Sequence, residues 1–128
     1  MKYLTPPETR PPFGNYVHGV EVPPGARIVM TSGQLGVGPD DVVPEDVEAQ
    51  ARLCFDNVRA VLRAAGMDMS DVVRLNAYVT DRAHFPVYMA VRDEYVGTPP
   101  PASTLVIVSG FTREDFAVEV EATAAKLD

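Results

Sequence analysis

The sequence predicts an α+β fold, a single sheet with two helices on one face in the order ββαβαββ. Three observations predict it. Short alternating or apolar stretches bounded by Gly, Pro and Asp recur along the chain, as strands do. Two longer stretches instead space their apolar residues by three and four, as amphipathic helices do. The 12 prolines gather mainly in Pro6–Pro12, Pro23–Pro24 and Pro99–Pro101, where they punctuate a folded chain and leave the periodic stretches intact.

From Tyr16 to Val22 the residues alternate, with Val17, Gly19 and Glu21 opposed to Tyr16, His18, Val20 and Val22, before a Pro23-Pro24-Gly25 turn. This is the first expected strand. Arg27 to Thr31 is the second, running into a flexible loop through Ser32-Gly33-Gln34, Gly36 and Gly38. A helix of about 22 residues follows, with Pro44 in its first turn, Glu45 and Asp46 at the positive end of its dipole and Gly66 as its stop. Its apolar stripe is Val47, Ala51, Cys54, Phe55, Val58, Val61, Leu62 and Ala65. Val72 to Val79 is a strand with Val73, Leu75, Ala77 and Val79 on one side and Arg74, Asn76 and Tyr78 on the other. A shorter helix starts near Pro86 and carries Phe85, Tyr88, Val91, Arg92 and Tyr95 before Gly97. Leu105 to Val108 and Phe116 to Thr123 complete the sheet. Two helices cover only one sheet face, so oligomerisation through the other face is expected.

A chain of 128 residues has room for one domain, expected to span residues 1–128. With 46% hydrophobic and 23% charged residues, and no apolar run near the roughly 20 residues a spanning helix needs, a soluble protein is expected. The first residues lack the apolar core of a secretory signal, which points to the cytoplasm. A single cysteine, Cys54, excludes an intrachain disulfide and a cysteine-rich metal site. His18 and His84 have no carboxylate cluster at ligand spacing, so no metal is expected. A net charge of −7 with scattered bases disfavours nucleic acid as a partner.

Several segments together resemble the Rid (reactive intermediate deaminase) family, also labelled L-PSP endoribonuclease. They are Gly14-Asn15-Tyr16-Val17-His18-Gly19-Val20, Thr31-Ser32-Gly33-Gln34, Gln50 through Asn57-Val58 to Ala64-Ala65-Gly66, Val72-Val73-Arg74 with Val79-Thr80-Asp81, and Val118-Glu119-Val120-Glu121-Ala122. The resemblance covers nearly the whole chain. It implies a chorismate-mutase-like fold, a homotrimer with its sheets facing inward, and a small-molecule cleft between neighbouring subunits. It also implies hydrolysis of 2-imino or 2-enamino acids to 2-keto acids and ammonia without metal or organic cofactor.

By the same resemblance Glu119 matches the catalytic glutamate, and Tyr16, Ser32, Gly33 and Met89 match cleft residues. An arginine of the family grips the substrate carboxylate through two parallel hydrogen bonds. Here the matching segment is Pro101-Ala102-Ser103-Thr104, so Ser103 stands at the arginine's place and Leu105 where a cysteine is frequent. The expected activity is therefore hydrolysis or deamination of an imine, enamine or related carbonyl-derived metabolite, outside the standard 2-imino acids. The alternatives are a trimer that binds a metabolite without converting it and, opposed by the charge, an endoribonuclease. On residue type alone, Glu119 and Glu121 also fit a solvated sheet face, Tyr16 a packing role and Ser32 a plain turn. Arg92, Arg74 and Arg113 are candidates to replace the guanidinium from another direction, each also readable as a surface charge. Arg92 leads because it lies one turn from Met89.

Overall fold

A computed structural model describes residues 1–128. The main sheet has five strands, β3 (Arg27–Met30), β4 (Gln34–Leu35), β5 (Val72–Val79), β6 (Ala102–Ile107) and β7 (Val118–Lys126). Its path runs β3-β7-β5-β6, with β4 also paired to β7. All pairs are antiparallel except β5–β6. With α1 (Val47–Ala64) before β5 and α2 (Phe85–Tyr95) between β5 and β6, the main sheet runs ββαβαββ, with β3 and the unexpected β4, rather than the Tyr16–Val22 strand, ahead of α1. No helix is long and apolar enough to cross a membrane.

Side-chain alternation decides what the sheet buries. Leu75, Ala77 and Val79 of β5 and Val118, Val120, Ala122 and Ala124 of β7 point toward the helices and form one core with Ala51, Cys54, Phe55, Val58 and Leu62 of α1 and Tyr88 and Val91 of α2. Phe55 is the hub, stacking on Tyr88 at 5.8 Å and on Tyr95 at 5.0 Å between ring centroids.

Several boundaries differ from the sequence expectation, each for a visible reason. The strand expected over Tyr16–Val22 shrinks to β2 (Gly19–Glu21), which pairs with an unexpected β1 (Lys2–Leu4) in a separate two-stranded sheet. Only Val17 touches the main sheet, through an isolated bridge to Ala102. Helix α1 begins after Pro44, because the Asp46 side chain accepts from the backbone N–H groups of Glu48 and Ala49 at 3.3 Å and so supplies the cap. Its end is as expected: Gly66 adopts φ +75, Gly66 N–H donates to Arg63 and Met67 N–H to Leu62, closing a Schellman turn. Strand β6 starts three residues before Leu105 and β7 two residues after Phe116.

The loop expected after β3 is pinned, and part of it is strand. Gln50 is sealed inside the protein; its Nε2 donates to the carbonyls of Pro44 and Asp115 at 2.8 Å, and its Oε1 accepts from Ala117 N–H at 2.8 Å. Asn57 donates to the carbonyls of Leu35 and Val37 at 3.1 and 2.9 Å. Between those carbonyls Gly36 lies so close to the helix that a Cβ there would sit 2.7 Å from Gln50 Cα. Gly36→Ala should therefore destabilise the fold by about 1–3 kcal/mol, the usual cost of overpacking a rigid contact. A lowered urea midpoint with unchanged slope checks this, and a midpoint equal to the natural chain's refutes it.

Candidate functional site

Strands β4 and β7 place Glu119. Leu35 lies opposite Glu119 and Gln34 opposite Val120, and because Val118 and Val120 face the helices, Glu119 and Glu121 face away from them. The Glu119 carboxyl rests on Gly33, where a Cβ would come within 2.6 Å of Cδ. Only glycine lets the backbone approach this closely. Ser32, just before it, is exposed, and Thr31 locks the turn by donating its N–H to the Ala122 carbonyl at 2.9 Å and accepting from the Ala122 N–H through Oγ1 at 3.1 Å.

The two glutamates share a face but differ in partners. Glu121 accepts from the Tyr78 hydroxyl at 2.7 Å and from the Asn76 amide at 3.3 Å. The bond to Glu121 raises the Tyr78 pKa. Glu119 accepts no hydrogen bond from the chain and is half-buried. Its pKa is raised, first by desolvation and then by the neighbouring Glu121 charge. A carboxylate with free lone pairs and raised basicity can orient a water molecule and take its proton.

A second group of candidates gathers at the start of β6. Val17 pairs with Ala102 and donates to the Pro101 carbonyl at 3.2 Å, which brings Tyr16 to this strand end. The Tyr16 hydroxyl accepts from Phe13 N–H at 3.1 Å, and its ring meets His18 edge-on at 6.0 Å. Ser103 is in register with Leu75, and Leu105 with Ala77, so both point to the helix side of the sheet. Leu105 and Met89 are half-buried against the core, so in a single chain they act as packing residues.

One chain therefore does not unite the expected site. Strand β5 separates β6 from β7, and Ser103 and Leu105 face the opposite side of the sheet from Glu119. Of the three candidate arginines, Arg74 is exposed and donates to Thr104 Oγ1 at 2.8 Å, and Arg113 is held by Asp41 and Asp115 at 3.1 and 3.3 Å. Arg92 overturns the reading as a surface charge, because its residue is only 4% exposed. Asn76 and Tyr78, which partner Glu121, carry no functional signal in the sequence; the alternation of β5 gives their face, but only the pairing register places them beside β7.

No three His, Cys, Asp or Glu side chains converge as a metal site. The largest surface hollow, about 490 Å³, is lined by Gly38, Pro39, Asp40, Val42, Pro44 and Leu53 and contains none of the candidate residues. It is a mainly apolar recess without convergent polar groups, so the chemistry argues for the Glu119 face instead.

Comparison with known proteins extends over nearly the whole chain. Residues 7–126 match the family described as Endoribonuclease L-PSP. The chain is 36% identical over 119 residues to the 2-iminobutanoate/2-iminopropanoate deaminase of Escherichia coli strain K12, covering 89% of each protein. Among solved structures it is similar to YyfB of Yersinia pestis, described as a member of the conserved Rid family, with TM-score 0.86, 30% identity and 98% of both chains covered. It is also similar to E. coli TdcF with bound serine, with TM-score 0.72, 31% identity and coverage of 99% of this chain and 100% of that one. The α+β architecture, the position of Glu119 on its central strand and these likenesses lead to one conclusion: the chain belongs to the Rid family, the YjgF or L-PSP endoribonuclease family, and has its chorismate-mutase-like fold.

Proposed function

We propose that the protein hydrolyses an imine or enamine to a carbonyl compound and ammonia, in a cleft formed between copies of a homotrimer. The observation that carries this reading is the Glu119 carboxylate, half-buried against Gly33, with no partner in its own chain and a raised pKa. In this mechanism Glu119 accepts a proton from water as the oxygen attacks the C=N carbon. That proton passes to the nitrogen to give the neutral carbinolamine, and Glu119 then carries the hydroxyl proton to the nitrogen as the C–N bond breaks, which releases ammonia and forms the C=O bond. The name of the E. coli relative, a deaminase of 2-imino acids, supports the reaction class.

The intersubunit cleft is supported by geometry of two kinds. Within one chain the Tyr16–Ser103 group and the Ser32–Gly33–Glu119 group lie on different strands and, for Ser103, on opposite faces of the sheet. The helix-free face also exposes Ile28, Met30 and Val106, apolar side chains suited to an interface. Tyr16, Ser32, Gly33, Met89, Ser103 and Leu105 would line the cleft, and Ser103 lacks the charge that grips a 2-imino carboxylate. Simple 2-imino acids are accordingly poor substrates in this proposal.

Glu119→Gln should lower keto-product release from imines generated in situ by an amino-acid oxidase by about 100-fold or more. The linkage sign separates catalysis from structure. A carboxyl whose folded pKa is raised withdraws stability as pH climbs through its titration, so its neutral amide should leave the thermal midpoint at pH 7 unchanged or higher. A lowered midpoint would instead mark Glu119 as structural. The natural chain's rate should fall on acidification, beginning at a higher pH than an ordinary glutamate would give. Ligand binding that survives with no turnover in the natural chain would replace the enzyme by a binding trimer.

Ser103→Arg should raise the rate on simple 2-imino acids about 10- to 100-fold, the worth of charge-assisted hydrogen bonds at about 1.4 kcal/mol per tenfold. A natural chain already as fast as an arginine-bearing relative would refute the role given to Ser103. Mixing Glu119→Gln with Tyr16→Ala, each inactive alone, and allowing subunits to exchange should restore about a quarter of full activity, since that fraction of clefts would draw both groups from natural sequence. No recovery in exchanged mixtures would place the whole site within one chain.

A further inference from the structure

On the helix-free face of the sheet, Tyr78 bonds to a carboxylate that is not its own strand partner. In the β5–β7 ladder Tyr78 stands opposite Glu119, and Asn76 stands opposite Glu121. The Tyr78 hydroxyl nevertheless donates to Glu121, at 2.7 Å. Opposed side chains start about 5 Å apart and diagonal ones about 7–8 Å, a gap that an aromatic side chain spans. Tyr78 therefore starts beside Glu119 and reaches along the face to the next carboxylate.

This arrangement bounds Glu119 on two sides. Toward β4 its carboxyl rests on the Gly33 backbone, and toward β5 stands Tyr78. A tyrosine hydroxyl has one proton to donate, and here Glu121 takes it. Asn76 donates to the same Glu121 oxygen, Oε1, at 3.3 Å, so two residues of β5 fix one carboxylate beside the other. The bond to Glu121 raises the Tyr78 pKa, and the charge of Glu119 adds to the rise, so Tyr78 is a neutral donor within reach of both fields.

The other elements around Glu119 bring no charge to it. The turn into β4 offers Gly33 and Gln34, and β6, beyond Tyr78, offers Thr104 and Val106. Arg74, further along β5, donates to Thr104 at 2.8 Å. From α1 comes the Cys54 thiol, pushed up to about 12 by burial first and then by the charge of Glu119, and so neutral at pH 7. Glu121 is the charged neighbour that acts on Glu119.

We infer that Tyr78 and Glu121 form a positioning pair for Glu119: the bond between them leaves the Glu119 carboxyl uncapped and holds a negative charge in a fixed place beside it. The inference deepens the proposed function and rests on it in taking Glu119 as the base. A carboxylate beside a free donor would ordinarily accept from it, and a capped carboxylate is a poorer base. A neighbouring anion acts the other way and favours proton uptake from water.

Protein labelled with ¹³C at the glutamate carboxyls lets Glu119 be titrated without turnover, its signal being the one lost in Glu119→Gln. Tyr78→Phe, which loosens Glu121, should move the Glu119 midpoint to lower pH. Glu121→Gln, which removes the charge and still accepts from Tyr78, should move it further. Tyr78→Phe should add nothing in the Glu121→Gln background, the coupling expected of residues that act as one. Glu45→Gln removes the same charge from an exposed position before α1 and should leave the midpoint in place. On imines generated in situ, Tyr78→Phe should lower kcat about 3- to 10-fold with KM within about twofold, and its rate should begin to fall on acidification at a lower pH. An unmoved midpoint in Glu121→Gln, an equal shift in Glu45→Gln, or the same effect of Tyr78→Phe with and without the Glu121 charge overturns the inference. The first two do so even if Tyr78→Phe fails to fold. A natural chain that turns over no imine while its Glu119 midpoint follows both variants would sink the hydrolase reading and leave the pair standing.

Discussion

The candidate site depends on how closely the chain after β4 approaches α1. Gln50 uses both of its amide protons and its carbonyl oxygen to join three backbone groups from either side of the main sheet's connections. Since that amide is sealed from water, losing one partner would leave a desolvated polar group, so the arrangement is held to one geometry. Gly36 permits the approach, and Asn57 repeats the tie about two turns further along the helix. Through β4 this contact fixes Gly33, and through Gly33 it fixes the carboxyl of Glu119.

The helix-free face of the sheet then divides two chemically identical side chains into two roles. Glu121 faces two hydrogen-bond donors on β5, whereas Glu119 faces glycine backbone, and its burial and the neighbouring negative charge disfavour its ionised form. Two residues along one strand thus separate a hydrogen-bonded carboxylate from an unpartnered one. The division comes from the neighbouring strands rather than from the Val-Glu-Val-Glu alternation itself.

Local signals in the sequence carried most of the elements. Val72–Val79 and the helix around Pro86 are legible because alternation, apolar spacing and the stop residues agree. The two-residue β4 is not legible, since its pairing comes from a helix amide and a glycine contact far away in sequence. The start of α1 is ambiguous in the sequence because Pro44 and Asp46 are both acceptable helix openers, and a cap bond outweighs a permissive φ. Glu119, Ser32 and Gly33 were found through a family pattern, and the structure brings the glycine and the carboxylate together. The burial of Arg92 is not legible, because a charged residue on an amphipathic helix is ordinarily solvated and nothing local marks one that lies beneath the Gly14 segment.

Strand β7 has a consequence in time. It lies between β3 and β5 and also pairs with β4, so three strands made earlier during synthesis depend on it for their partners. Until residues 118–126 have left the ribosome, β3 and β4 have nothing in the main sheet to bond with, and β5 can pair only with β6. The apolar side of α1 likewise waits for Val118, Val120, Ala122 and Ala124. The nascent chain must therefore carry an uncovered helix face and open strand edges until residues 118–126 are made, the state in which chaperone binding and misassembly compete with folding.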